Sequence, residues 1–233
     1  MRIYIIVFVG YRSSMGNIIT IDGPSGSGKS TVSRIFAEKI GYCCLDTGAM
    51  YRAVALVAKR KEVAFDDGRA LEEICTSLRL RFETEEGLPR LFMDEEDLSA
   101  LIRNPEFDML SSTVSAVKEV RESMKNMQRE MSLHADLVAE GRDMGTVVFP
   151  KAKIKFFLTA SLDARALRRY EERRIKGNKV EMGVVRAELA KRDHQDETRS
   201  LAPLKPAGDA FIIDSTALNI NQVIELMIEK FRA

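Results

Sequence analysis

Short apolar runs alternate along the chain with longer stretches in which apolar residues recur at helical spacing. The runs cover residues 18–21, 42–45, 137–139, 153–158 and 209–214. Their length and apolar character predict the buried strands of a parallel sheet. After the first run, apolar residues recur three and four positions apart from Val32 to Ile40, and Gly41 follows, which predicts a helix that ends there. The alternation of the two patterns indicates an α/β fold.

A different pattern follows residue 60. An amphipathic stretch after Asp67 predicts a capped helix. Apolar and charged residues then alternate through residues 78–93 around the segment TEEG, which predicts a small β-hairpin. Asn104-Pro105 is typical of a helix start, and a long helical region is predicted from there to about Leu133. The methionines at 124, 127 and 131 share one face of it and are expected in the core.

The first apolar run leads directly into a phosphate-binding motif. Residues 23–30 read GPSGSGKS and match G-x-x-x-x-G-K-[ST] between a predicted strand and a predicted helix. Glycines allow backbone N–H groups to turn toward phosphate oxygens, and the helix N-terminus adds partial positive charge. Lys29 is placed to reach the β- and γ-phosphates, and the Ser30 hydroxyl to bind Mg²⁺. ATP is expected to contact Gly23, Pro24, Ser25, Gly26, Ser27, Gly28, Lys29, Ser30 and Thr31.

The segment before this strand has more than one interpretation. Residues 3–9 form a run of seven apolar residues, far short of the roughly 18 needed to span a bilayer. With Arg2 before it, the run weakly resembles a signal peptide. The segment is either an extra leader over residues 1–14, with Met15 as the working start, or a short added strand. We favour the leader, because the strand that feeds the phosphate loop begins at once at Asn17.

Composition narrows the classes of function. Of 233 residues, 45% are hydrophobic and 30% are charged, which suffices for one sizeable core with inserts. The 36 Lys and Arg residues nearly balance the 35 Asp and Glu residues, so no global positive field argues for nucleic acid or a membrane as partner. Three Cys residues, two of them adjacent, make no disulfide framework. A reducing cytoplasm is therefore expected. We also expect a monomer, which composition does not test.

Polar residues follow the second predicted strand directly. Asp46, Thr47 and Arg52 come after residues 42–45. Because ligands bind beyond the carboxyl ends of parallel strands, these residues are expected at the same edge of the sheet as the phosphate loop. A guanidinium early in a helix suits bidentate binding of a second anion. The alternative for Arg52 is a solvated helix residue.

Four segments, read in order, resemble the bacterial cytidylate kinase family. They are DGPSGSGKST (22–31), LDTGAMYR (45–52), AEGRDMGTVVFP (139–150) and KRDHQDETRSLAPLKPAGDAFIIDST (191–216). The resemblance implies an α/β fold with a P-loop NTPase-type parallel sheet core flanked by helices. It implies a single kinase domain over residues 15–233, with a monophosphate-binding α+β insert at about 53–120 and a short helical lid at about 165–185. The implied reaction transfers the γ-phosphoryl group of ATP to CMP or dCMP with Mg²⁺.

The resemblance also implies roles for individual residues. CMP would be bound by Asp46, Thr47, Tyr51, Arg52, Ser112, Arg121, Arg142, Asp143, Arg192, Asp196 and Arg199. The lid arginines Arg165 and Arg169 would cover ATP, whereas Arg173 and Arg174 are expected on a solvated helix face. The catalytic set would be Lys29, Arg52, Arg142 and Arg199. Ser112, Arg121 and Asp143 would contact the cytosine base.

The chemistry of the assigned base-reading residue suits cytosine. The exocyclic amino group of cytosine is a donor that the Asp143 carboxylate can accept. Uracil presents an acceptor oxygen there, and two acceptors facing each other in a desolvated site discriminate strongly. The alternative is a turn aspartate that bonds its own backbone. No catalytic base is expected, because the second phosphate pKa of a monophosphate is near ~6 and the dianion can attack directly. His134 and His194 are therefore expected to be exposed and not catalytic.

Two other functions fit the phosphate loop taken alone. One is another small-molecule P-loop kinase, for a different nucleoside monophosphate or a metabolite hydroxyl. The arginine-rich acceptor segments favour a phosphate acceptor over a hydroxyl. The other is a nucleotide-driven switch or a nucleic-acid-binding ATPase, which the near-zero net charge and the missing stacking motif do not support.

Overall fold

The computed structural model describes residues 16–85, 88–133 and 135–233. The predicted leader, Met15, part of the TEEG segment and His134 lie outside the described residues. The strands are β1 (Ile18–Asp22), β2 (Cys43–Asp46), β3 (Leu80–Glu85), β4 (Leu88–Met93), β5 (Glu96–Asp97), β6 (Leu137–Gly141), β7 (Ile154–Thr159) and β8 (Phe211–Asp214). The α-helices are α1 (Lys29–Ile40), α2 (Thr47–Arg60), α3 (Gly68–Ser77), α4 (Glu106–Ser115), α5 (Lys118–Met131), α6 (Leu162–Ile175), α7 (Met182–Thr198) and α8 (Ile220–Arg232).

Strands β1, β6, β7 and β8 lie in one sheet, and β3, β4 and β5 form a second sheet. The chain divides into two compact units. The first unit comprises residues 42–137 together with the described residues 16–18, and the second unit comprises residues 19–41 and 138–233. Among the described residues, no helix combines the length and the apolar character needed to cross a membrane.

The second unit is built on parallel strands in the order β6-β1-β7-β8. Strand β7 pairs in parallel with both β1 and β8, with Phe156 opposite Ile21 on one side and opposite Phe211 on the other. Phe36 of α1 packs edge-on against Phe156, with ring centroids 5.9 Å apart. Ile21 and Phe36 are fully buried. The parallel sheet flanked by helices, which the apolar runs predict, is thereby confirmed.

The first unit combines helices with the antiparallel sheet β3-β4-β5. The predicted hairpin is confirmed, with Phe82 of β3 opposite Leu91 of β4. The methionine face of α5 is buried, as expected for core residues. The long helical region predicted up to Leu133 is instead interrupted, because Val117 has an extended ψ of 127° between α4 and α5. Arg121 Nη1 donates to Ser115 O at the end of α4 (3.1 Å), so a carbonyl at the break is satisfied.

Candidate active site

The phosphate loop joins β1 to α1 through backbone conformations that glycine favours. Gly26 and Gly28 have φ angles of 75° and 93°, in the left-handed region where a Cβ is strained. Gly23 lies so close to β7 that a Cβ there would be 2.0 Å from Leu158 O. The loop therefore reaches Lys29, the first residue of α1, through turns that direct backbone N–H groups inward.

Lys29 is buried at the start of α1. Its Nζ donates to Pro24 O at 2.7 Å and to Ser27 Oγ at 3.4 Å. Burial lowers the pKa of Lys29 well below its usual range, and the positive charges of Arg142 and Arg192 lower it further, whereas Glu140 and Asp22 oppose the shift. Such a convergence of cations is a site that favours a polyanion.

Arg142 follows β6 and pairs with α7. Its Nε donates to Asp196 Oδ2 at 2.9 Å. Burial alone would lower the pKa of Arg142, but the Asp196 carboxylate outweighs burial and the pKa is raised. Burial alone would raise the pKa of Asp196, yet the three guanidinium groups of Arg142, Arg192 and Arg199 hold it below its usual range. The α7 residues that the RDHQDETR segment predicts thus meet the arginine of the EGRDMG segment.

Asp143, the predicted base-reading residue, is 2% exposed. Its Oδ1 lies 3.6 Å from Arg199 Nη2, and Arg199 Nε donates to Ala202 O at 2.8 Å. The carboxylate therefore lies beside one of the arginines expected to bind the acceptor phosphate. His194 is exposed on α7, as predicted.

Arg165 and Asp193 hold the backbone of the phosphate loop. Arg165 is buried and donates to Ser25 O (3.0 Å) and to the Asp193 carboxylate. The other Asp193 oxygen accepts the Ser25 N–H at 3.3 Å. Sequence reasoning missed Asp193, although it adjoins Arg192 in a segment already singled out. The structure places Arg165 against the loop peptide, and contact with ATP stays a prediction for it.

The other lid arginines differ in their surroundings. Arg169 Nη1 pairs with Glu172 of the same helix at 2.7 Å. Arg174 is exposed, as expected. The expectation was wrong for Arg173, whose buried guanidinium pairs with Glu188 of α7 at 2.7 Å. This side chain joins α6 to α7.

In the first unit, four of the predicted CMP-binding residues lie at the start of α2. Asp46 caps that helix by accepting the Ala49 N–H at 2.9 Å, and Thr47 and Tyr51 are buried in its first turns. Arg52 Nη2 pairs with Asp108 Oδ1 of α4 at 3.1 Å. Asp108 was missed by sequence reasoning because no local pattern distinguishes it.

Ser112 and Arg121 are both buried and are linked through Ser115. Ser115 Oγ donates to Ser112 O at 2.8 Å, and Arg121 Nη1 donates to Ser115 O. The break between α4 and α5 therefore links the Arg121 guanidinium, through Ser115, to the backbone carbonyl of Ser112, nine positions earlier in the sequence.

Asp22, the last residue of β1, is a buried carboxylate that sequence reasoning did not single out. Its Oδ1 accepts the Met144 N–H at 2.9 Å, and its Oδ2 accepts the Gly145 N–H at 2.8 Å. Burial raises its pKa from 3.8 to about 6, and Asp143 adds to the rise, while the two N–H groups and Lys29 oppose it. The only signal in the sequence is a charged residue that ends an apolar run.

This raised pKa predicts how stability depends on pH. At Asp22 the folded protein binds more protons than the unfolded chain between pH 3.8 and about 6, so the contribution of Asp22 to stability falls as pH rises through that window. Relative to Asp22→Asn, which does not titrate, the wild-type folding equilibrium is expected to weaken roughly tenfold, about 1.4 kcal/mol, from pH 5 to pH 7.5. Urea unfolding of both proteins without nucleotide measures this. A constant difference between the two proteins across that range would contradict it.

The two comparisons by sequence agree with each other. A family model described as cytidylate kinase matches residues 19–233. A cytidylate kinase of Syntrophotalea carbinolica is 48% identical, over 91% of this chain and 90% of the relative. That of Citrifermentans bemidjiense is 47% identical, over 91% of this chain and 91% of the relative. That of Vibrio cholerae is 42% identical, over 93% of this chain and 96% of the relative.

Proposed function

We infer that this chain, which belongs to the cytidylate kinase family, transfers the γ-phosphoryl group of ATP to CMP or dCMP and releases ADP with CDP or dCDP. The observation that carries the proposal is the convergence of Lys29, Arg142 and Arg192 in the second unit, where burial and the positive charges of the two arginines lower the pKa of Lys29. Bound phosphates would neutralise these charges. The family model and the curated relatives favour this acceptor over the alternatives considered from the phosphate loop alone.

On the donor side, Lys29 exchanges partners. In the structure its ammonium group bonds Pro24 O and Ser27 Oγ. We propose that it releases them and binds the β- and γ-phosphate oxygens, while backbone N–H groups of residues 25–31 surround the β-phosphate. Arg165 and Asp193 keep the Ser25 peptide in place during this exchange, because both bond its backbone.

On the acceptor side, Arg142 and Arg199 are proposed to bind the CMP phosphate. Asp196 orients Arg142, so the guanidinium is positioned before the substrate arrives. The phosphate dianion attacks the γ-phosphorus as the bond to the β-γ bridging oxygen breaks, and that oxygen leaves on ADP. The attacking oxygen carries no proton, so no base is required. Arg52 of the first unit stays a predicted ligand of the acceptor phosphate.

The residues fit a nucleotide-borne Mg²⁺. Ser30 is exposed at the second position of α1, and among the described residues no cluster of three or more His, Cys, Asp or Glu side chains forms a metal cage. We propose that Ser30 Oγ contributes one ligand and that the phosphates and water supply the rest. When bound, Mg²⁺ neutralises charge on the transferring phosphoryl group.

An ADP-release assay across CMP, dCMP, UMP, AMP and GMP tests the proposed function. CMP or dCMP is expected to give the highest kcat/KM, and purine monophosphates are expected to fall at least about 100-fold below, because the base-reading residues leave a purine without matched partners. An assay without acceptor measures ATP hydrolysis by water. Turnover of AMP or GMP equal to that of CMP would refute the assignment.

A further inference from the structure

The Asp22 carboxylate connects two loops of the second unit that follow neighbouring strands. Asp22 ends β1 immediately before the phosphate loop, and Met144 and Gly145 follow β6 immediately after Asp143. Both carboxylate oxygens are used, one for each of two successive backbone N–H groups. Only a carboxylate offers two equivalent acceptor oxygens on so short a side chain, since Asn would turn an NH₂ group toward one of the N–H donors.

The peptide that follows Asp143 is held on both sides. Asp22 accepts its N–H, which belongs to Met144. Its C=O, which belongs to Asp143, accepts the N–H groups of Val147 at 2.9 Å and Val148 at 3.1 Å, within the π-helical turn 144–148. These bonds fix the backbone from which the Asp143 side chain projects, so displacement of the peptide would move the carboxylate with it.

Gly145 allows the close approach that this arrangement needs. A Cβ on Gly145 would lie 2.9 Å from Thr20 Oγ1 and 3.4 Å from Asp22 Oδ2. A side chain there would push the loop away from the end of β1. The missing side chain of Gly145 thus leaves room for the Asp22 carboxylate to reach the Gly145 N–H.

We propose that Asp22 is a positioning residue for acceptor recognition. It fixes the loop that carries Asp143 next to the start of the phosphate loop. The proposal rests on the proposed function for the identity of the acceptor. It assigns Asp22 no contact with substrate. Substitution of Asp22 should therefore affect selection of the base and binding of CMP. Binding of ATP should change little, because it depends on Lys29 and the loop glycines.

The arrangement also makes acceptor recognition sensitive to pH. A protonated Asp22 would direct an O–H toward one of the two N–H groups and lose that bond. Among the described residues, the charged groups that act on its pKa are Asp143, on the bonded loop, and Lys29, on α1. The Lys155 side chain of β7 passes the same glycine, but its ammonium group bonds Pro150 O and Asp209. Because its pKa is raised by burial to about 6, the loss should begin in mildly acidic solution.

Steady-state kinetics of Asp22→Asn with CMP, UMP and ATP test the proposal. The KM for CMP is expected to rise at least about tenfold and the preference for CMP over UMP to shrink by a similar factor, with the KM for ATP changed less than about twofold. The matched control is Asp67→Asn, another aspartate that accepts a backbone N–H, that of Ala70 in the first unit, and it should leave all three parameters unchanged. Equal increases in the KM values for CMP and ATP would overturn the proposal.

A second measurement separates positioning from a general structural role. The ratio of wild-type to Asp22→Asn kcat/KM for CMP cancels the titration of the CMP phosphate, which is common to both. This ratio is expected to fall as pH decreases from 7.5 to 5, and a flat ratio would overturn the proposal. Should Asp22→Asn fail to fold, Gly145→Ala provides the test. It should likewise raise the KM for CMP and leave the KM for ATP nearly unchanged. A wild-type protein that does not phosphorylate CMP would instead refute the proposed function.

Discussion

Lys29→Ala is expected to lower phosphoryl transfer to CMP by about 1,000-fold or more, with Mg·ATP and CMP both saturating. Lys29 is the buried cation of the phosphate loop. The attraction between its ammonium group and the transferring phosphoryl group strengthens as the transition state forms. Loss of one preorganised electrostatic contact of this kind costs about 3–4 kcal/mol of transition-state stabilisation. A coupled assay of ADP formation measures the effect.

The loss should not arise from unfolding. Lys29 is buried beside two arginines, so its removal relieves repulsion between like charges. The melting temperature of Lys29→Ala without nucleotide is therefore expected to equal or exceed that of wild type. Lys39→Ala, an exposed lysine of the same helix, is the matched control and should retain wild-type activity. Retention of full activity by Lys29→Ala would remove Lys29 from the mechanism.

Much of the second unit could be predicted from local sequence. The run of residues 18–21 has the length of a buried strand, and the glycines that follow satisfy a conformational requirement that few other residues meet. Such features depend on neighbours within a few positions. Hence the strand, the loop and the start of α1 were all predictable.

The contacts that hold the site together were not predictable in the same way. Arg165 and Asp193 are 28 positions apart, and Asp22 and Met144 are 122 apart. Each of the three charged side chains, read alone, is indistinguishable from a solvated charge, because its partner is decided by strand order and helix packing. Arg173 shows the same limit, since only the position of α7 explains why it is buried.

The prediction of one continuous helix through Val117 was wrong for a different reason. The helical spacing of apolar residues continues through residues 106–131, and neither Gly nor Pro marks the turn. The turn is stabilised by the guanidinium of Arg121, one turn into the next helix. A binding residue inferred from family resemblance therefore also shapes the fold around it.

Asp143→Ala is expected to lower kcat/KM for CMP by about 100-fold or more and to remove most of the preference for CMP over UMP. The carboxylate is nearly fully buried, so the cytosine amino group would lose its acceptor in a place that water reaches poorly. A desolvated donor without a partner costs about 1–3 kcal/mol, and loss of a charged acceptor costs more. Initial rates with each monophosphate at fixed Mg·ATP measure the change.

Asp143→Asn sharpens this prediction, because it keeps the size of the side chain and replaces its charge. An amide can turn its NH₂ group toward the acceptor oxygen of uracil, so UMP should lose less than CMP, and the ratio of their kcat/KM values should move toward UMP. The KM for ATP should remain within about twofold of wild type in both variants, since the phosphate loop is unchanged. Undiminished CMP selectivity in Asp143→Ala would show that the base is recognised by other residues, and Asp143 would then serve mainly as the partner that lies 3.6 Å from Arg199.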